Sequence, residues 1–194
     1  MTVQAEPCVH RRQRSDAARN RERLLAAAEE VFGERGLDAN VGEIAERAGL
    51  GRATLFRNFP TKQALLVAIL AAQMREGIDE GRMMLASAHE EPVLGDFMAR
   101  IVDRQQLNRG MLEGVAEDAF LQDPEVAAVR AALIALLADM IAHDQDQGAI
   151  AAGITADDVM LIIKGVCSVA SHVTDPGQLQ RHLLLMQRAI MPQA

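Results

Sequence analysis

Residues 44–59, IAERAGLGRATLFRNF, form two short apolar segments joined by a turn that contains two glycines. Gly49 supplies the backbone freedom that so short a turn needs. Arg52 and Arg57 lie on the second segment with no carboxylate between them. Four apolar side chains are spaced to meet as a small core between two steeply crossing helices: Ile44, Ala48, Leu55 and Phe59. The stretch therefore predicts a helix-turn-helix whose second helix has a basic outer face.

A short helix with a basic outer face is suited to binding a polyanion. The major groove of DNA is about 12 Å wide and admits one helix with its side chains. In a helix-turn-helix protein the second helix enters that groove. Taken without the spacing around them, Arg52 and Arg57 would indicate only a solvated surface.

Composition indicates a globular chain that depends on aliphatic side chains. Of its 194 residues, 49% are hydrophobic and 24% are charged, and aromatic residues make up only 3%. There is no Trp and no Tyr, whereas Met occurs ten times. Because Met is flexible and polarizable, Met-rich interiors adapt to varied shapes. The length suits one large domain or two small domains that share a helix.

The net charge of −7 conceals a basic N-terminal end. Residues 1–62 carry a net charge of +2 and residues 63–194 a net charge of −9, and within residues 10–23 six arginines face two acidic residues. Such asymmetry points to nucleic acid or to an acidic surface. We expect residues 1–14 to be a disordered basic arm, which either follows phosphates or a minor groove or serves only as a solubilising tail.

Cysteine content and hydropathy favour the cytoplasm. Cys8 lies in the expected arm and Cys167 near the other end, so a disulfide framework is not expected. The N-terminus has no apolar segment of signal-peptide length. No window holds about 18 uninterrupted apolar residues, so we expect no membrane-spanning helix.

Helical periodicity runs through the chain, and strand patterns are missing. We expect an all-α fold of about nine helices with a DNA-binding domain at 15–62 and a larger helical domain at 63–194. Helices are predicted from Ser15 to Arg35, from Val41 to Ala48, from Arg52 to Asn58, from Thr61 to about Ala86, from Leu94, from about Met111 to Leu121, from Pro124 to the run at 143–148, and at 159–173 and 178–191.

Two features of the larger domain have alternative interpretations, and a third has a single one. Gly77 and Gly81, inside the long fourth helix, indicate close packing or a soft joint, and we favour packing. The segment from His143 to Gly148 contains spaced acids, but it departs from the calcium-loop pattern and we expect a solvated helix end. We expect Asp175-Pro176-Gly177 to be a turn between the last two helices.

Residues 40–65, NVGEIAERAGLGRATLFRNFPTKQAL, resemble the DNA-binding domain of the TetR/AcrR transcriptional regulators. The resemblance covers residues 15 to 66. It implies that the third helix contacts base edges or phosphates and that the start of the second helix and Lys62 lie near the DNA backbone. The implied contact residues are Val41, Gly42, Arg52, Ala53, Thr54, Phe56, Arg57, Asn58 and Lys62.

Two departures from the family pattern affect individual contacts. Phe56 stands where the family usually has Tyr, so a phenolic hydroxyl is missing. Asn40, Val41 and Gly42 stand near the start of the second helix, where a Thr is common. Neither change conflicts with the fold, but each removes a side-chain hydroxyl that would meet a phosphate.

The resemblance also implies a homodimer through the last two helices and a small-molecule effector cavity between the middle helices. Residues 159–173 and 178–191 offer a broad apolar surface, which would also suit an ordinary intramolecular core. The candidate cavity residues would likewise suit an ordinary core: Phe97, Met98, Ile101, Met111, Phe120, Leu137, Met140 and Cys167.

The function that this resemblance implies is transcriptional repression, relieved when a small apolar ligand tilts the fourth helix. An enzyme and a helical adaptor are the alternatives. The sequence has no nucleophile-elbow, zinc-protease or phosphate-loop motif, so we expect no catalysis, cofactor or metal. An adaptor would account for apolar dimer helices but not for arginines on the third helix.

Overall fold

The computed structural model describes residues 6–107, 122–170, 173 and 175–192. These residues form helices without strands, as predicted. The ninth predicted helix, from about Met111 to Leu121, lies outside the described residues. The eight described helices are α1 Glu6–Arg35, α2 Val41–Arg47, α3 Arg52–Asn58, α4 Lys62–Ser87, α5 Leu94–Leu107, α6 Pro124–Asp146, α7 Ala156–Ala170 and α8 Pro176–Ala189.

Side-chain caps start α2, α4 and α6 within one residue of the predicted positions, whereas α7 starts at Ala156, three residues before the predicted 159. Asn40, Thr61 and Asp123 each accept a hydrogen bond from a backbone N–H in the first turn of the helix that follows, at 2.8, 3.0 and 2.8 Å. Before α7, Thr155 and Asp158 exchange the reciprocal bonds of a capping box. These local bonds satisfy amides that a helix start would otherwise leave unpaired.

The first helix begins earlier than predicted. It starts at Glu6 rather than at Ser15, so residues 6–14 extend α1 instead of forming a disordered arm. Pro7 fits the first turn, where its missing N–H is not needed. The Arg and Gln residues that follow are good helix formers, and a Ser inside a helix costs only a few tenths of a kcal/mol.

The last helix also begins earlier than predicted. Asp175 accepts a hydrogen bond from the amide of Gly177 at 2.9 Å and so caps α8. Pro176 and Gly177 therefore form the first turn of the helix and not a separate turn.

One hydrophobic core holds α1, α2, α3 and the first turns of α4 together. Burial of each large aliphatic or aromatic side chain in it contributes about 1.5–3 kcal/mol. It contains the four apolar residues predicted to meet between the crossing helices, all of them buried. The core consists of Leu24, Leu25, Ala27, Ala28, Val31, Phe32, Ile44, Ala45, Ala48, Leu55, Phe59, Leu65, Leu66, Ala68 and Ile69.

A second core joins α5, α6, α7 and α8 to the later turns of α4. The 26 residues of α4 extend over about 39 Å, so one end lies in each core. Leu65 belongs to the first core and Ile78 to the second. The division between the two cores therefore falls within α4, and this helix connects them.

Gly81 shows close helix packing. A Cβ at this position would overlap the Phe97 ring and lie 2.7 Å from Leu136 Cδ2. A Cβ at Gly77 would meet only Arg104, at an ordinary 3.7 Å. The packing interpretation is therefore confirmed at Gly81, whereas no described residue crowds Gly77.

Among the described helices, α6 alone is long and apolar enough to cross a membrane by length and composition. Seven of its apolar residues are buried among the other helices, which explains that composition. They are Val126, Val129, Leu133, Leu136, Leu137, Met140 and Ile141.

The end of α6 is only in part the solvated helix end that we expected, because residues 146–148 are exposed but Asp144 is buried. Asp144 is only 1% exposed, and its carboxylate accepts hydrogen bonds from the amides of Val93 and Leu94 at 2.9–3.2 Å. It thus caps α5 from a different helix, because the amides there need an acceptor. His143 Nδ1 lies 2.9 Å from Asp144 Oδ1, and this hydrogen bond raises the pKa of His143.

Candidate nucleic-acid interface

The turn between α2 and α3 is fixed from both sides. Gly49 has a φ of +62°, a value that residues other than glycine rarely adopt. The Leu50 amide donates a hydrogen bond to the Ala45 carbonyl at 2.9 Å. Arg23, on α1, donates from Nη2 to the Ala48 carbonyl at 2.6 Å. The turn therefore sets the angle at which α3 leaves α2.

The two faces of α3 differ as the sequence predicts. Leu55 is buried, and so is Phe59, the residue that follows the helix and caps it. The opposite face presents exposed side chains of Arg52, Ala53, Phe56 and Arg57. The Phe56 ring is 49% exposed, so a large apolar group lies among the charged ones. Arginine donors and exposed apolar groups are the kinds of side chain that contact base edges in a major groove.

The arginines of α3 have no acidic partner among the ion pairs of the described residues, whereas nearby arginines do. Arg35 pairs with Glu43 at 2.7 Å. Arg47 pairs with Glu34 at 2.9 Å, and this contact lowers the pKa of the Glu34 carboxyl. The neutralised arginines thus lie on α1 and α2, and uncompensated positive charge remains on α3.

Thr54 contacts two other predicted contact residues, Arg57 and Asn58. Arg57 Nη2 is 3.5 Å from Thr54 Oγ1, at the limit of a hydrogen bond, and the guanidinium is exposed. Asn58 donates from Nδ2 to the Thr54 carbonyl at 2.7 Å, which occupies the amide in the last turn of α3. Arg57 is therefore free to reorient toward a ligand, while Asn58 is held by its own helix.

Arg52 folds back over the start of α2. A Cβ at Gly42 would lie 2.7 Å from Arg52 Cζ, so the absence of a side chain at Gly42 makes room for the guanidinium. Gly42 is buried, its amide bonds Asn40, and Val41 is half-buried. The structure thus brings Arg52 together with the predicted contacts at the start of α2.

Lys62 is engaged within the protein. Its ammonium donates to the Leu37 carbonyl and lies 5.8 Å from the centroid of the Phe32 ring. A lysine ammonium has three donors, so this contact leaves others for a phosphate. Lys62 also ties the start of α4 to the end of α1.

Sequence reasoning missed the supporting arginines of α1. Arg23 holds the turn, and Arg21 lies with its guanidinium carbon 5.3 Å from the centroid of the Phe59 ring. The available signal was their position next to Leu24, at the edge of the apolar face of α1. That position indicates side chains that extend across the core toward the next helix.

The candidate effector residues lie mainly in the second core. Phe97, Met98, Leu137 and Met140 are buried there, and Ile101 is half-buried against it. Met111, Phe120 and the side chain of Cys167 lie outside the described residues.

Two open clefts of the described structure lie elsewhere. The first, of about 430 Å³, is lined by Val173, Gln178, Leu179, Arg181, His182 and Leu185. The second, of about 400 Å³, is lined by Glu29, Gln73, Glu76, Glu80, Arg100, Asp103 and Arg104. Neither cleft contains a predicted effector residue.

An apolar surface is exposed on the last two helices. Leu161 on α7 is 71% exposed, and Leu184 and Leu185 on α8 are 56% and 59% exposed. Single exposed leucines are ordinary, but several on two neighbouring helices mark a surface that a partner can cover.

Comparison with known proteins agrees with this geometry. Residues 24–69 match the model of bacterial regulatory proteins of the tetR family, and residues 89–188 match that of the C-terminal domain of SbtR-like transcriptional regulators. No curated protein matches the chain.

Solved structures cover nearly the whole chain. A TetR transcription regulatory protein from Mycobacterium vanbaalenii is 31% identical, with 93% of this chain and 99% of that chain covered and a TM-score of 0.63. A TetR transcriptional regulator from Streptomyces coelicolor is 29% identical, with coverages of 90% and 99% and a TM-score of 0.67.

A more distant structure shares the fold. FadR from Thermus thermophilus is 24% identical, with coverages of 90% and 97% and a TM-score of 0.64. Together with the helix-turn-helix and its basic face, the two matched family models and the 31% identical relative show that this chain belongs to the TetR family of DNA-binding transcriptional regulators.

Proposed function

We propose that the protein is a repressor that binds operator DNA as a homodimer, with one α3 helix of each protomer in the major groove. The observation that carries the proposal is the exposed face of α3, where Arg52 and Arg57 have no acidic partner among the described residues while Leu55 and Phe59 anchor the opposite face. In this proposal the chain is a cytoplasmic binding protein and not an enzyme.

The proposed contacts divide by depth in the groove. Arg57 and Phe56 lie on the exposed face of α3 and approach base edges. The forked guanidinium of Arg57 can donate two hydrogen bonds to the two acceptors of guanine. Ala53 permits close approach of the helix. Arg52, placed over Gly42, contacts the phosphate near the start of α2.

Weaker contacts surround these. Thr54 and Val41 are partly buried beside the basic face, where they can meet the DNA backbone. Lys62 offers a phosphate the donors that Leu37 does not use. Asn58 contributes by holding the last turn of α3. Such backbone contacts fix orientation without reading sequence.

A dimer through α7 and α8 is proposed because one seven-residue helix touches few base pairs. The exposed leucines of α7 and α8 would pack against a second copy of this chain as a four-helix bundle. Two-fold symmetry then places two α3 helices about one helical turn of DNA apart.

A small apolar effector is proposed for the second core. The FadR structure from Thermus thermophilus is a complex with lauroyl-CoA, which is an acyl compound. Met98 and Met140 are flexible enough to move aside for an apolar group. A ligand there would shift α4, which reaches both cores. Operator affinity would then fall to the extent that the ligand binds the shifted conformation more tightly than the DNA-binding conformation.

Selection of genomic fragments with the purified protein tests the proposal. We expect recovery of promoter fragments that contain an inverted repeat, with binding that weakens steeply as salt rises, by about 0.9 log units per log of salt for each phosphate neutralised. Recovery of no duplex at low salt would refute DNA binding. Capture of a protein partner with little dependence on salt would instead support a helical adaptor.

A further inference from the structure

The first turn of α6 docks on the DNA-binding domain. Asp123 caps this turn by accepting from the amides of Glu125 and Val126 at 2.8 and 3.3 Å. Val126 packs with Val67 and Ala71 of α4 in a small apolar cluster of its own. The effector domain therefore meets α4 at the end that also belongs to the first core.

Glu125 joins three helices at this point. Its carboxylate accepts from Arg21 of α1 at 2.6 Å and, through its other oxygen, from Arg75 of α4. About a third of the Glu125 and Arg21 side chains is exposed, so water only partly screens the pair. Residues 21 and 125 are 104 positions apart, so this ion pair connects the two domains directly.

Arg21 also contacts the residue that follows α3. Its guanidinium lies 5.3 Å from the centroid of the Phe59 ring, within the range of a cation–π interaction. Phe59 directly follows α3 and caps it, because its amide donates to the Leu55 carbonyl at 2.8 Å. A continuous series of contacts thus runs from Glu125 through Arg21 and Phe59 to the buried side of α3.

We propose that Glu125 is a positioning residue that couples the effector domain to α3 by holding Arg21 against Phe59. This inference rests on the proposed function, in which α3 contacts the operator. When the first turn of α6 moves, Glu125 moves with it and Arg21 loses either its carboxylate or its place on the Phe59 ring. An effector that moves this turn would therefore shift the position of Arg21 on the Phe59 ring.

The test is hydrogen exchange of the DNA-free protein in Glu125→Gln, a variant of almost the same shape. We expect the amides of residues 55–59 to exchange roughly three- to tenfold faster than in the wild type, while those of α7 are unchanged. Asp79→Asn is the matched control, since it breaks an exposed ion pair with Arg82 on α4 at 2.9 Å. It should leave residues 55–59 unchanged.

Arg21→Gln completes a double-mutant cycle. If Glu125 acts through Arg21, Glu125→Gln adds little to the exchange rates of residues 55–59 in the Arg21→Gln background. Additive effects, unchanged exchange at residues 55–59, or equal acceleration throughout the chain would each overturn the inference.

Operator binding separates this inference from the proposed function. We expect Glu125→Gln to weaken binding to the selected duplex by roughly three- to tenfold, because α3 is held less firmly before binding. Wild-type affinity in Glu125→Gln would overturn the coupling. A wild-type protein that binds no duplex would refute the proposed function, while the exchange cycle would still test the contact.

Discussion

Arg23 of α1 donates a hydrogen bond of 2.6 Å to the carbonyl oxygen of Ala48, the residue that follows α2. The last carbonyls of a helix have no partner within it, so this bond completes the turn that aims α3. It also places Arg23 Nη2 where a Cβ at Gly49 would approach it to 3.0 Å.

Replacement of Arg23 by Met should destabilise the DNA-binding domain by about 1–2 kcal/mol, because the Ala48 carbonyl loses a charged donor. Urea denaturation measures the change in the free energy of unfolding. Arg19→Met, an exposed residue of the same helix, is the control and should stay within about 0.5 kcal/mol of the wild type. Equal stability of the two variants would show that the Arg23 bond does not support the turn.

Gly81 and Gly77 provide a matched pair within α4. Gly81→Ala should lower stability by about 1–3 kcal/mol, since the added methyl group overlaps Phe97 and Leu136. Gly77→Ala should be neutral or stabilising by up to about 1 kcal/mol, because its nearest described neighbour is Arg104 at 3.7 Å and Ala favours helix. Thermal unfolding of both variants measures the change in stability. Equal gains in stability would refute tight packing at Gly81.

His143 should make stability depend on pH above neutrality. The hydrogen bond to Asp144 raises the pKa of His143 above its ordinary 6.5, so the folded state binds the proton more tightly than the unfolded chain. This stabilisation is fully present below about pH 6.5 and is lost as pH rises through the folded-state pKa.

Melting temperatures across this pH range test the effect. We expect His143→Gln to abolish the part of the decline that begins above about pH 6.5. His182→Gln should retain it, because the bond between His143 and Asp144 is intact in that variant. Identical pH profiles for wild type and His143→Gln would contradict the assignment.

The exposed leucines of the last two helices should govern the oligomeric state. Leu161→Glu together with Leu184→Glu should convert a dimer to a monomer, because two charges would be buried without partners in the bundle. Sedimentation velocity measures the mass, and circular dichroism checks that helix content is kept. Met83→Glu, at a methionine 64% exposed on α4, should leave the dimer intact. A monomeric wild type would refute the proposed interface.

The sequence predicts well those features that local chemistry determines. Asn40, Gly49 and Thr61 each act on residues within one helical turn, and they place α2, α3 and the start of α4 within a residue of the structure. The apolar residues of α3 likewise identify its buried face, because a helix presents every third or fourth residue on one side.

The contacts that the sequence did not predict join distant residues. Asp144 caps α5 about 50 positions away, and Arg21 meets Glu125 over 104 positions. No local pattern marks such partners, because which charges meet is decided when the helices pack. The early start of α1 was missed for a different reason, since Ser15 satisfies the rules for a cap but a helix tolerates it in the interior.

Binding of the selected operator duplex by Arg57→Ala and Arg52→Ala, measured by fluorescence anisotropy over a range of salt concentrations, tests the central claim most directly. We expect each substitution to cost about 1–3 kcal/mol of binding free energy, and the salt slope to fall by about one where the lost contact is a phosphate. Arg82→Ala, on α4 away from the basic face, serves as the control and should bind like the wild type. If the double variant of Arg52 and Arg57 keeps both the affinity and the salt slope of the wild type, α3 is not the surface that meets DNA.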